Sequence, residues 1–147
     1  LKVDFVSLWN IDTTSHTWTL KKIINHGNVK NKKIKNILNG DANYLSSLSK
    51  EGILLLEKPN TDHTFPEMTE HLSGVENIMD AGMRLNGKSP QVLRCCSAAK
   101  RVWEKDETDF LILVSTYLSF MLEATERNQV ESDQLKMSKT MRSLYYT

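Results

Sequence analysis

Two oppositely charged residues, Asp80 and Arg94, interrupt the most apolar segments of the sequence. Each lies within a segment that reads as a strand, Ile78 to Leu85 and Gln91 to Ser97. A guanidinium can bind a carboxylate or phosphate through two parallel hydrogen bonds, whereas an unpaired buried charge is costly. The pair therefore has two interpretations: an ion pair at an exposed edge, or part of a site for a small ligand that carries an anionic or aromatic group.

The two cysteines, Cys95 and Cys96, could act as a nucleophile or as redox thiols. That chemistry needs an exposed thiolate near a cation, and Arg94 is adjacent in sequence. Neighbouring residues of a strand point to opposite faces, so the two sulfurs are poorly placed to bond to each other. We expect at least one cysteine to be packed in the core, and the free thiols favour a cytoplasmic location.

A third group, His63, Glu67 and His71, has four-residue spacing that would suit a metal on one helical face. Pro66 argues against it, because a helix seldom continues back through a proline. The sequence has no Gly-rich phosphate loop, no Gly-X-Ser-X-Gly motif and no zinc pattern of paired cysteines. We therefore predict no catalytic residues, no metal site and no enzymatic activity for this segment.

A tight turn at Asn86-Gly87 joins the two strands, because Asn-Gly readily adopts the positive φ values of a hairpin. A two-residue loop would place Met79 opposite Arg94, whereas a three-residue loop with a glycine bulge would place Asp80 there. We favour the second register, since it sets the two charges against each other.

A long helix is predicted after Trp103. The acidic run that follows suits the positive end of a helix dipole, with Asp106 as the N-cap. Apolar residues then recur at three- and four-residue spacing, which predicts one broad face buried on the sheet. That face consists of Phe110, Leu111, Val114, Tyr117, Leu118, Met121, Leu122 and Thr125. After Glu123 the pattern weakens to a slipped heptad, which predicts a parallel pairing with a second copy.

The first half of the chain supplies further strands. Its first segment has apolar residues at both odd and even positions, so both faces of the strand are apolar, which is typical of a central strand. Between His26 and Gly40, the residues Ile34, Ile37 and Leu38 fit either a short helix or a strand. Elsewhere the pattern predicts strands at Val3–Asp12 and Thr17–Asn25, a helix through Tyr44, Leu45 and Leu48 that ends at Gly52, a buried strand at Ile53–Glu57, and a loop with a short helix over Asn60–Gly74.

Length and composition allow one domain with a tail, since the chain has 147 residues and is 39% hydrophobic. The net charge is +1, from 19 basic and 18 acidic residues, so total charge does not direct the protein to nucleic acid or to a membrane surface. A local cluster of lysines lacks aromatic neighbours and reads as a solvated surface. Its members are Lys30, Lys32, Lys33 and Lys35. No apolar run reaches the roughly 18 residues that span a bilayer.

The order of these features resembles a GAF domain, of the kind found in bacterial sensor histidine kinases and diguanylate cyclases. The resemblance covers most of residues 3 to 127 through many weak points. Those points are Tyr44 with Leu45 and Leu48, Thr61-Asp62, His71-Leu72, Ile78-Met79-Asp80, Gly87, Val92-Leu93 with Cys95-Cys96, Arg101 with Trp103, Glu107 and Phe110.

The resemblance implies an α/β (α+β) fold, with a central antiparallel sheet of five or six strands and a long C-terminal helix on one face. A pocket-forming loop and helix segment, Asn43 to Ser73, would cover the other face. Residues 1–127 would form the sensor domain and residues 128–147 a helical linker toward an output domain. Such domains usually have a helix before the first strand, and its absence here suggests a truncated segment.

By the same resemblance, the function would be small-molecule sensing in a bacterial signalling protein, with the ligand unnamed. The alternative is a ligand-free dimerisation module that aligns signalling helices. Expected partners are a small molecule, a covalently linked output domain and a second copy through the C-terminal helix, with no nucleic acid and no membrane. The predicted ligand-binding residues are Tyr44, Phe65, Met68, Leu72, Met79, Asp80 and Arg94.

The sequence also departs from the GAF pattern on its pocket side. Gly82 stands where a proline is expected, Pro90-Gln91 replaces a glycine-containing strand start, and Ser97-Ala98 replaces an acidic residue followed by His. The three cysteines of the sulfoxide reductases, the Cys-His pair of phytochromes and the cyclic-nucleotide signature are also missing from this sequence. The ligands of those relatives are therefore not transferred to this chain.

Overall fold

A computed structural model describes residues 2–25, 37–39, 42–57, 74–85, 87 and 89–146. The chain divides into two compact units, Leu1–Ser115 and Thr116–Thr147. The first unit contains the strands found in the described residues and the start of the last helix, and the second is the remainder of that helix. None of the helices in the described residues combines the length and the hydropathy that crossing a bilayer requires.

The first unit is built on one six-stranded antiparallel sheet, which confirms the predicted fold class. Along the sheet the strand order is β3-β2-β1-β6-β5-β4. In chain order the elements are β1 (Phe5–Asp12), β2 (Thr17–Asn25), β3 (Ile37–Asn39), α1 (Ala42–Glu51), β4 (Ile53–Glu57), β5 (Asn77–Met83), β6 (Gln91–Ser97) and α2 (Lys105–Tyr145).

Most strand bounds agree with the sequence pattern. Between His26 and Gly40 the sequence left a helix and a strand equally open, and the part that the structure describes, Ile37–Asn39, is a strand. Ile37–Asn39 pairs with Thr17–Thr19 of β2, while Ile34 lies outside the described residues. The prediction that β4 is buried was wrong: among the described strands β4 lies at the edge of the sheet, and its Leu55 is 46% exposed. A run of apolar residues indicates a strand, but it does not show whether a second neighbour will cover it.

The β5–β6 hairpin has the register that we favoured, with Asp80 opposite Arg94. Its turn differs from the prediction. The positive φ falls on Arg84, at 50°, and Gly87 is not among the positive-φ glycines. The Gly87 N–H donates to the Arg84 carbonyl at 2.9 Å, so the chain reverses from Arg84 onward, before Gly87 is reached. Asn86 and Lys88 lie outside the described residues.

The two faces of the sheet carry different sets of buried residues. One face, here called the α1 face, packs against Tyr44 and Leu48 of α1. Helix α1 ends as predicted at Gly52, whose N–H donates to the Leu48 carbonyl and whose φ is 76°. The core on this face includes Phe5, Trp9, Ile11, Trp18, Leu56, Val75, Ile78, Val92 and Cys96. The opposite face carries the alternate positions of β5 and β6, whose apolar members are Met79, Ala81, Met83, Leu93 and Cys95.

Helix α2 begins with a reciprocal cap rather than at Asp106. The Glu104 carbonyl accepts from the Glu107 N–H, and the Glu107 carboxylate accepts from the Glu104 N–H at 3.0 Å. The second bond is one half of a capping box, in which the side chain of the third helical residue satisfies the N–H of the residue before the helix. The predicted cap, Asp106, lies inside the first turn, where its charge still suits the helix dipole.

The buried face of α2 is narrower than predicted. Only Leu111 and Ser115, four residues apart, are buried among the described residues of the helix, and they form its packed face in the first unit. Phe110, Tyr117 and Met121 are 50%, 62% and 49% exposed, so their predicted burial was wrong. The stripe chosen from the sequence was too wide, because three- and four-residue spacing alone does not fix the centre of a helix face. Within the second unit, Tyr117, Phe120, Met121, Val130, Leu135, Met137, Met141, Leu144, Tyr145 and Tyr146 are exposed.

Candidate functional site

The candidate site is centred on a bidentate ion pair between Arg94 and Asp80 on the α1 face. Arg94 Nε donates to Asp80 Oδ1 at 2.8 Å, and Arg94 Nη2 donates to Asp80 Oδ2 at 2.7 Å. The side chains are 1% and 0% exposed, so the first of the two interpretations, an ion pair at an exposed edge, was wrong. The reason is the sheet order, because β6 is central and β5 is covered on both sides by β4 and β6.

Two aromatic side chains enclose the guanidinium. Tyr44, carried by α1, accepts a long hydrogen bond from Arg94 Nη2 at 3.4 Å. The Arg94 guanidinium carbon also lies 5.8 Å from the centroid of the Trp18 ring, within the range of a cation–π contact. Trp18 and Tyr44 meet edge to face at a centroid distance of 5.4 Å. Helix α1 and strand β2 are thereby tied to the same cation.

A second polar contact lies in the neighbouring strand. Ser7 of β1 stands opposite Arg94 in the sheet register, and its hydroxyl accepts from Trp9 Nε1 at 2.9 Å. Both residues are 1% exposed. Buried hydroxyl and indole groups need partners of this kind. The α1 face is therefore an apolar surface with a small polar centre, formed by Ser7, Asp80, Arg94 and Tyr44.

Burial controls the ionisation of this centre. Burial raises the pKa of Asp80, and the charge and hydrogen bonds of Arg94 oppose that rise. Burial also acts to lower the pKa of Arg94, but the Asp80 carboxylate outweighs it and the pKa of Arg94 is raised. A guanidinium keeps its charge throughout the accessible pH range. The pair is therefore a charge-balanced unit within the core.

Gly82, the departure from the GAF pattern noted above, makes room for Leu85. A Cβ at Gly82 would lie 2.3 Å from Leu85 Cδ1 and 2.8 Å from Leu85 Cγ. Leu85 is partly buried against the core of the α1 face. The Leu85 side chain therefore covers the end of β5 at Gly82. A methyl group or a proline ring at position 82 would fit only if Leu85 moved.

The structure brings Tyr44, Asp80 and Arg94 together, as the sequence suggested. Met79 faces the other side of the sheet, opposite Cys95, so it does not join this group. The remaining predicted ligand-binding residues, Phe65, Met68 and Leu72, lie outside the described residues. Trp18 and Ser7 were not predicted; both follow from the register of β1 and β2 against β6, which the sequence alone does not supply.

The two cysteines are both buried and lie on opposite faces, as expected from their adjacency. Burial raises the pKa of the Cys95 thiol to about 12 and that of Cys96 well above its usual value. Neither sulfur is a ready thiolate at neutral pH. No cluster of metal-ligating side chains occurs in the described part of the chain, and the histidine group at 63 to 71 lies outside it.

A separate group of polar contacts, centred on Arg101, connects the start of the chain to the start of α2. Arg101 donates to the Lys2 carbonyl and to the Glu107 carboxylate, and its guanidinium carbon stacks 4.4 Å from the centroid of the Trp103 ring. An open depression of about 550 Å³ lies beside it. Its charged lining residues are Lys2, Asp4, Arg101 and Glu104, two of each sign. Because the positive and negative residues are equal in number, the depression has no clear preference for a positively or a negatively charged ligand.

Comparison with solved structures identifies the fold. The GAF domain of a two-component sensor histidine kinase from Bacillus halodurans matches with a TM-score of 0.59 and 14% identity, over 88% of this chain and 87% of that one. The phycocyanobilin-bound GAF domain of a cyanobacterial phytochrome matches with a TM-score of 0.64 and 12% identity, over 86% and 78%. No protein-family model and no curated protein matches the sequence.

One structural neighbour is an enzyme. The type II free methionine-R-sulfoxide reductase of Thermoplasma acidophilum matches with a TM-score of 0.56 and 16% identity, over 84% of this chain and 80% of that one. At these identities the likeness concerns the fold alone. The chain has the fold of a GAF domain, an architecture that occurs in signalling proteins, in photoreceptors and in at least one enzyme.

Proposed function

We propose that this chain is a small-molecule-sensing GAF domain of a bacterial signalling protein, located in the cytoplasm and without catalytic activity of its own. The ligand would lie between the sheet and the loops that cover its α1 face. Its contacts would come from Tyr44, Phe65, Met68, Leu72, Asp80 and Arg94. The observation that carries the proposal is the polar centre formed by Asp80, Arg94 and Tyr44 within an apolar face.

A buried ion pair is weak evidence for stability, because apolar residues of similar volume often stabilise a core as well or better. Its presence on the face that the GAF pattern assigns to ligand binding therefore favours a role in recognition. Ligand pockets are typically apolar cavities with a few placed polar groups, and this face has that composition. One structural neighbour with this fold was solved with phycocyanobilin bound, so the fold itself accommodates a ligand.

The expected mechanism is a shift between two conformations of the domain. A ligand can change such an equilibrium only through its different affinity for the two states. Tyr44 links α1 to Arg94 in β6, and β6 leads through residues 98–104 into α2. A ligand that repositions Tyr44 would act on β6 and so on the entry to α2, toward an output domain attached beyond residue 147.

Native mass spectrometry tests this proposal directly. The protein as purified should carry an additional non-covalent mass that is lost on denaturation. Tyr44→Ala should reduce the fraction that carries this mass, because it removes the aromatic wall beside Arg94. The matched control is Lys21→Ala, at an exposed position of β2. Apo protein in every preparation, together with no response to a metabolite panel, would contradict ligand sensing.

A second function, the ligand-free dimerisation module, is favoured by the exposed apolar side chains of the second unit. An exposed helix with this many apolar residues is typical of an interface. Its weak heptad suits a coiled-coil partner, and we propose a second copy of the chain. In this reading residues 128–147 serve as the linker that aligns two output domains.

Sedimentation velocity tests dimerisation through this helix. Removing residues 128–147 should weaken self-association while the circular dichroism of the remaining domain keeps its sheet signal. A control with Glu126→Gln and Glu131→Gln keeps the length and the apolar residues, so it should remain associated. Monomers before and after the truncation would refute dimerisation through this helix, whereas unchanged dimers would place the interface elsewhere.

A further inference from the structure

The exposed side chains of helix α2 follow a regular repeat, and the inference drawn from it rests on the dimerisation proposed above. Within the second unit, steps of four and three residues alternate without a break from Thr116 to Leu144, and these positions are here called the seam. A stripe with this repeat is the surface along which two α-helices form a coiled coil. The apolar members of the seam are 51 to 76% exposed, and they are Phe120, Val130, Met137, Met141 and Leu144.

Two opposite charges interrupt the seam. Glu123 and Arg127 occupy two of its consecutive positions, with Phe120 before them. Both side chains are exposed, and neither forms an ion pair or a side-chain hydrogen bond with another residue in the part of the chain that the structure describes. A glutamate four residues before an arginine could pair with it along one helix. Here the two charges remain available to a partner.

We infer that Glu123 and Arg127 form a charged layer between two copies of α2 that pair in parallel, and that this layer sets their register. In a parallel pair each seam residue faces the same residue of the other copy, so like charges meet within one step of the seam. The next step supplies the opposite sign, since Glu123 of one copy lies one step from Arg127 of the other. Long side chains can pair over that distance, as they do between the helices of coiled coils.

Other registers lose this compensation. A shift by one heptad would place Arg127 against Phe120 of the other copy. The same shift would place Glu123 against Val130, so both charges would lose water to apolar neighbours with no opposite charge of the partner nearby. A polar residue within a seam specifies the register in this way, at a cost in stability.

The apolar residues determine the orientation. An antiparallel pair could set Glu123 directly opposite the partner's Arg127. The same alignment would set Met141 opposite the partner's Asp109, and Leu144 opposite another acidic residue of the first helical turn. An exposed ion pair contributes little, whereas burial of a large apolar side chain contributes more. The parallel pair is therefore favoured, because it places every apolar member of the seam against an apolar partner.

Charge reversal in two separate variants of the full chain tests the layer. Glu123→Arg makes the layer wholly basic and Arg127→Glu makes it wholly acidic. Sedimentation equilibrium should show each variant alone associating at least about tenfold more weakly than wild type, because like charges then meet without compensation. An equimolar mixture should form a mixed dimer with a dissociation constant no higher than the wild-type value. Lys139→Glu is the matched control: it changes the net charge as Arg127→Glu does but lies outside the seam, so it should associate as wild type does.

Recovery on mixing separates the interface from effects within one chain, since a second chain cannot restore a helix that a substitution has destabilised. Equal dissociation constants for all variants, or a mixture no tighter than its components, would overturn the charged layer and leave dimerisation through α2 in place. A wild-type chain that stays monomeric at every concentration would refute the dimerisation function together with the layer.

Disulfide cross-linking checks the orientation. Val130→Cys, oxidised with copper phenanthroline, should form a covalent dimer, because a parallel pair brings position 130 of the two copies together. The native Cys95 and Cys96 are buried and should not contribute. A protein that dimerises but forms no link at position 130 would overturn the parallel register.

Discussion

Trp103 anchors the entry to helix α2, and its replacement by alanine should cost about 3 to 5 kcal/mol, as truncation of a buried aromatic side chain does. The residue is 8% exposed, so nearly all of its surface is protected by the fold. The Arg101 guanidinium stacks on its ring at 4.4 Å, a contact that contributes on the order of 0.5 to 1 kcal/mol when exposed.

One feature of the Trp103 side chain itself reduces the stabilisation that it provides. Its indole Nε1 is buried and has no hydrogen-bond partner among the described residues. An unsatisfied buried donor costs about 1 to 3 kcal/mol. Trp103→Phe keeps most of the aromatic packing and removes this donor, so its loss of stability should be at least about 2 kcal/mol smaller than that of Trp103→Ala.

Urea unfolding followed by far-UV circular dichroism measures both variants. Arg101→Ala is the comparison variant: it removes the stacking cation together with its bonds to Glu107 and the Lys2 carbonyl and leaves the ring, so it should cost no more than about 1 to 2 kcal/mol. The slope of unfolding free energy against urea should stay unchanged. A Trp103→Ala midpoint within error of the parent would refute the anchoring role, and equal losses for Phe and Ala would refute the cost of the unpaired N–H.

Three further experiments test the core and the helix cap. In a double-mutant cycle, Arg94→Met or Asp80→Leu alone should each lower the free energy of unfolding by about 3 to 5 kcal/mol, because each leaves a buried charge unpaired. The double variant should lose much less stability, and additive losses would contradict this. Gly82→Ala should lower the melting temperature, because its methyl group displaces Leu85, and combining it with Leu85→Ala should recover part of the loss; a melting temperature unchanged in Gly82→Ala would show that Leu85 moves at no cost. Burial opposes the shift at Glu107, but the Glu104 N–H and Arg101 lower the pKa of its carboxyl. A lowered folded pKa gives stability that is complete above the unfolded value of about 4.3 and is lost as pH falls through the folded value. Acid titration should therefore destabilise the parent more steeply below that pH than it destabilises Glu107→Gln, and parallel curves would exclude the contribution.

The sequence predicted the local features of the fold better than the packing between them. The bounds of β2, β4 and β6 follow from apolar runs bordered by turn residues, and the Asp80–Arg94 register follows from pairing two charges. The width of the buried face of α2 did not follow, because spacing shows which residues share a face but not how much of it the sheet covers. The edge position of β4 was missed for the same reason, since neighbour order is a property of the whole sheet.

The candidate site was only partly predictable. Asp80 and Arg94 stood out because charges in apolar strands need a partner. Trp18 and Ser7 have no such signal, since a tryptophan or a serine in a strand reads as ordinary core or surface. Their positions beside Arg94 depend on how β1 and β2 align with β6, including the irregularity between Leu8 and Trp9. That irregularity shifts the strand pairing by one residue, and nothing in the local sequence marks it.

The central position of β6 limits how this domain can move. All seven of its residues are buried, and neighbouring side chains serve different faces. A slip of one residue would exchange the faces, carrying Arg94 away from Asp80 and placing Leu93 or Cys95 at the polar centre, depending on its direction. Motion along the strand is thereby blocked, and β6 can respond to a bound molecule only by tilting or bending as a whole. The amides of β6 should accordingly be among the last to exchange with deuterium, even in a state where α1 has moved.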